Sequence, residues 1–203
     1  MDKKQTISPG ALFAAAGAGF ALYSSYDWHG MGRLINTGDP DHRLADYALF
    51  LVPLLLGCGT ALRYRGAGGR GTRAGVGLAC VGFALLAAAY FFAKWIYHAE
   101  IPIFVLLFYP GTLIVSAALL LLAAADRSKA VRTALAAAAL LALAHAVAPQ
   151  FAAASYGKPI GSEVKCWTGI ALGASWMLLG LATLRRRAAP SAPSSGRTLG
   201  GRG

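Results

Sequence analysis

Apolar residues fall into six runs, and nearly all charge falls in the gaps between them. The runs are 9–26, 45–62, 74–93, 101–124, 133–154 and 166–184. A helix needs roughly 20 apolar residues to cross a hydrocarbon core about 30 Å thick, and each run is close to that length. In lipid a backbone amide finds no water, so each run must satisfy its own hydrogen bonds as a helix. The pattern predicts an all-α, polytopic membrane bundle of about six transmembrane helices. Residues 1–184 are the expected membrane domain. The Pro-, Ser-, Gly- and Arg-rich stretch 185–203 is the expected disordered, basic cytoplasmic tail.

Composition agrees. The chain of 203 residues is 57% hydrophobic and 13% charged, against about 25% charged in ordinary soluble domains. Lys3 and Lys4 precede the first run as in a signal peptide. No A-x-A site followed by a hydrophilic segment comes after it, and five more runs follow. The first run therefore reads as a retained helix.

Charge then sets the orientation. The formal net charge is +11, which in a soluble chain would point to nucleic acid. Here the basic residues mark alternate gaps. Arg63, Arg65, Arg70 and Arg73 fill one, Arg127, Lys129 and Arg132 another, and Arg185, Arg186 and Arg187 open the tail. With the N-terminus, these segments form one side, which the positive-inside rule makes cytoplasmic. Both termini are then cytoplasmic, in a bacterial plasma membrane. Membrane lipid replaces nucleic acid as the expected partner. Six of the eight acidic residues and all four histidines fall on, or near, the outer side. The positive-inside rule does not account for that second bias.

Four features could carry chemistry. The stretch 94–102, KWIYHAEIP, is a short outer turn in which Trp95 and Tyr97 suit the headgroup level and Lys94 can snorkel. His98 and Glu100 at its rim could exchange protons. His145 lies thirteen residues into the fifth run, where an ionisable side chain usually faces the bundle interior. The loop 27–46 brings Asp27 and Asp46, with Tyr26 and Trp28 at its start, as ligand-binding candidates. In the fourth run Pro110 and Gly111 are expected to loosen the helix beside Tyr109.

No phosphate loop, zinc motif, nucleophile elbow or paired aspartates accompany these residues, and no metal site is expected. With only His145 well inside a run, bis-histidine haem fits poorly. The sequence assigns no cofactor. Cys58, Cys80 and Cys166 lack metal-ligand spacing and a disulfide framework.

The leading expectation is a membrane-embedded enzyme, or a subunit of one. It would act on a lipophilic small molecule at the outer leaflet by acid–base chemistry, with His145, Glu100 and His98 moving protons. A transporter and a non-catalytic accessory protein are the alternatives. Small-residue pairs at Ala15/Gly19, Gly75/Ala79 and Gly169/Gly173 offer close helix contacts and a surface for a homodimer or larger membrane complex.

Overall fold

The computed structural model describes residues 7–28, 40–92 and 101–188, with side chains at 7–25, 50–92 and 105–185. The described backbone forms six helices, one for each apolar run: α1 Pro9–Trp28, α2 Pro40–Arg63, α3 Arg70–Phe91, α4 Ile101–Ala125, α5 Lys129–Tyr156 and α6 Lys158–Ala188. Four stretches are long and apolar enough to cross a membrane: Arg70–Phe91, Val105–Ala125, Lys129–Tyr156 and Lys158–Arg185. The apolar part of α2, Phe50–Arg63, is shorter. The molecule is an all-α, multi-span membrane bundle.

Each helix packs antiparallel against its neighbours in sequence, and α6 returns to pack against α1, closing a ring. The described turns are short. Between α2 and α3 the chain reverses through Gly66 at φ +85°, and between α5 and α6 through Gly157 at φ +96°. Both are left-handed conformations in which glycine carries no steric penalty.

Lipid tails are as apolar as leucine, so helices in a membrane associate through close packing rather than water release. The ring follows that rule. Along α1, Gly10, Ala14, Gly17 and Ala21 meet Gly180, Gly173 and the neighbouring backbone of α6. A Cβ on Gly17 would lie 2.5 Å from the Gly173 carbonyl oxygen, and one on Gly173 would lie 2.6 Å from the Gly17 carbonyl oxygen. Gly82 plays the same part between α3 and α4, where an added Cβ would meet Val115 at 2.7 Å. Gly75/Ala79 and Gly169/Gly173 are thus buried inside the chain, at α3–α4 and α1–α6 respectively. In α1 the seam uses a different register from Ala15/Gly19: Ala15 is exposed and Gly19 faces Val52.

Large apolar side chains point the other way. Leu22, Leu106, Leu113, Leu140, Phe151 and Leu178 are each more than 60% exposed. On a water-soluble protein such a belt would be an aggregation surface. Here it is the surface that lipid covers.

The axis of the ring is filled with rings and leucines. Phe13 stacks on Trp176 at 6.0 Å, and Phe83 meets the same indole edge-on at 5.9 Å. Phe13 fits because residue 59 is glycine; a Cβ there would come within 2.9 Å of its ring. Beyond this layer Val115, Leu119, Leu122, Val131, Leu135 and Leu179 are fully buried. Helix α4 runs unbroken through Pro110, with Thr112 donating back to the Phe108 carbonyl at 2.9 Å. The expected loosening at Pro110 and Gly111 does not interrupt the helix.

Candidate functional site

The two ends of the ring differ. At one end, where α2 and α4 finish, Arg63 and Asp126 form a buried ion pair at 2.7 Å, their side chains only 9% and 4% exposed. Asp126 follows the last residue of α4, and its Oδ2 also accepts the Tyr64 hydroxyl at 3.0 Å. Its Oδ1 accepts the Ser128 amide at 2.8 Å, which organises the turn into α5. Arg63 Nη1 donates to Thr183 Oγ1 at 3.1 Å and so reaches α6. Burial alone would push the Asp126 carboxyl up. The Ser128 amide and the Arg63 guanidinium outweigh burial and hold it below the usual carboxylate range. Burial pushes the Tyr64 hydroxyl up to about 12. The sequence alone shows Arg63 and Asp126 only as charges in gaps between apolar runs, because residues 63 positions apart carry no pairing signal.

The opposite end is hollow. A cavity of about 240 Å³ opens there between α1, α3, α4, α5 and α6. Its polar groups are Tyr23, Ser24, Tyr90, Tyr109, His145, Gln150 and Lys165. Toward the middle of the bundle a narrower apolar space of about 60 Å³ is walled by Val52, Leu56, Phe83, Leu172 and Trp176. Phe20, Tyr90, Phe108 and His145 line both spaces. His145 therefore stands on the boundary between a polar mouth and an apolar floor.

Three residues on two helices surround the imidazole. Phe20 of α1 meets it edge-on at 5.4 Å. Thr168 of α6 lies 3.0 Å from Nδ1. Gly169 allows the approach, since a Cβ there would come within 3.2 Å of His145 Cε1 and would collide with Ser24.

Of the sequence candidates, His145 and Tyr109 line the same cavity. His98 and Glu100 lie outside the described residues. Tyr26, Asp27 and Trp28 occupy the last turn of α1, and Asp46 the second turn of α2, both at the cavity end; their side chains lie outside the described residues. The sequence reading missed Tyr23, Ser24, Tyr90, Gln150, Lys165 and Thr168. Tyr23 and Tyr90 carried a usable signal, since both sit near the end of an apolar run on the outer side. Cys166, near the outer end of the last run, is buried against the same cavity.

Among the described residues no three His, Cys, Asp or Glu side chains converge as metal ligands. Comparison of the chain with family models, curated proteins and solved structures finds no match.

Proposed function

We propose that the chain is a six-span protein of the bacterial plasma membrane, with both termini and the tail 185–203 in the cytoplasm. It admits a lipophilic molecule with a polar head from the outer leaflet and acts on it by acid–base chemistry. One observation carries this reading: the polarity of the cavity changes from mouth to floor, and His145 sits at the change. A head group at the mouth finds hydroxyl, amide and imidazole partners. The first carbons of a tail find Phe20, Phe108 and the apolar floor. His145 accepts the proton of the head group. Tyr109 shapes the mouth, and His98, Glu100, Asp27 and Asp46, with Tyr26 and Trp28, complete the acid–base and binding set around it.

Orientation is supported by charge. Arg65, Arg70, Arg73, Arg127, Lys129 and Arg132 all lie at the end opposite the cavity. Translocation of a charged solute is disfavoured, because the axis beyond the cavity is packed with Phe13, Leu119, Leu122 and Leu179 and ends on the Arg63–Asp126 pair.

The test is native mass spectrometry of full-length protein extracted in mild detergent and in lipid nanodiscs. A discrete bound lipophilic mass is expected. It should be lost in Gln150→Trp, which fills the mouth from an exposed position, and in His145→Phe, while both variants still accumulate in the membrane. A wild-type protein without bound mass, or bound mass unchanged in both variants, overturns the reading.

A further inference from the structure

We infer that the cavity selects a lipophilic phenol, that is, an amphiphile whose aromatic head presents an O–H donor to Nε2 of His145. The inference rests on the proposed ligand-binding role of the cavity and specifies its occupant.

Thr168 orients the imidazole. Its hydroxyl has one proton. Oγ1 lies 2.7 Å from the Val164 carbonyl and 3.1 Å from the Lys165 carbonyl, both acceptors without a proton to give. The proton is therefore committed to the helix backbone, and toward the imidazole Thr168 can only accept. The 3.0 Å contact is then a donation from Nδ1–H to Oγ1. An uncharged imidazole carries a single ring proton, so Nε2 holds the lone pair. A ligand that meets Nε2 must bring a hydrogen-bond donor.

Shape and chemistry narrow the donor. The cavity of about 240 Å³ corresponds to about eight waters at about 30 Å³ each. It takes a head group and a few carbons, with the remaining chain left outside. The rings of Phe20, Tyr23, Tyr90, Phe108 and Tyr109 surround that space. Aromatic walls favour a flat aromatic head packed face-to-edge or offset. A phenol or hydroquinone head satisfies Nε2 and the walls together.

A competition experiment tests this. Full-length protein in nanodiscs is incubated with equal amounts of 4-octylphenol and its methyl ether, which share a shape and differ in the donor. Native mass spectrometry reads the ratio bound. An ordinary hydrogen bond makes the phenol preferred by about threefold to tenfold, and His145→Phe should bring the ratio to about one. In ¹⁵N-histidine NMR, a resonance absent from His145→Phe should report an Nε2 without a proton and should move when the phenol is added. Saturable binding of both probes without preference overturns the donor requirement and leaves the binding cavity standing. Absence of saturable binding for either probe overturns both. A preference that survives His145→Phe removes His145 from the recognition.

Discussion

The two ends of this ring solve opposite problems with similar residues. At one end a carboxylate and a guanidinium are buried as a pair, Asp126 accepting from Arg63, Tyr64 and Ser128. At the other end tyrosines, a histidine, a serine and a glutamine surround empty space. Removing charge from water is expensive unless each group is paired, so the first end is organised for closure. The second leaves the imidazole ring held on Nδ1 by Thr168, with Nε2 unused by that contact. The contrast separates stability from recognition. The ion pair at one end fastens helices together, and the imidazole at the other end lines a cavity.

The comparison can be broken by mutation. Asp126→Ala strands a buried guanidinium and should cost about 3–5 kcal/mol, read as a large fall in the thermal midpoint in nanodiscs. Replacing both partners, Arg63→Met with Asp126→Leu, should recover most of that loss. If Asp126→Ala melts like the wild type, the closed end does not hold the fold. Tyr64→Phe deletes a hydrogen bond to a charged acceptor and should cost about 1.5–3 kcal/mol.

pH sharpens the same contrast. The Asp126 carboxyl is lowered in the fold. Its contribution is therefore present above the ordinary carboxylate range near pH 4, and it disappears as pH falls through the lower, folded value. Tyr64 is raised to about 12. Its contribution is present below about pH 10 and is lost as pH rises toward 12. Midpoints measured across pH should be flat between these limits, and Asp126→Asn should remove the acid-side decline specific to this pair. The smallest effect belongs to the hollow end. His145→Phe gives up a neutral hydrogen bond and should change stability by about 1 kcal/mol or less, while abolishing the bound lipophilic mass. A large loss of stability in that variant would make His145 a fastener like Asp126.

Hydropathy found each described helix, because an apolar run long enough to enter lipid must satisfy its own amides. It misplaced ends where helix and membrane part company. Helix α6 begins at Lys158, eight residues before its apolar run, since a helix continues through Ser162, Glu163 and Lys165 in a polar layer as readily as in lipid. The packing register in α1 was illegible for another reason. Residues 14–19 are Ala and Gly throughout, so several faces are equally small, and only the partner helix selects Gly17 and Ala21 over Ala15 and Gly19. His145 was readable from its depth alone. Its orientation was not, because Thr168 is 23 positions away on another helix.

The α1–α6 seam has a consequence for biogenesis. Every other pairing in the ring joins helices made one after the other, whereas α1 waits for the last. At about 5–20 residues per second, the wait between Gly17 and Gly173 is on the order of ten to thirty seconds. Over that interval the glycine stripe of α1 faces lipid or the insertion machinery without its mate. A nascent chain stopped before α6 holds five helices and an open circle, so quality control has a simple mark of incompleteness to read.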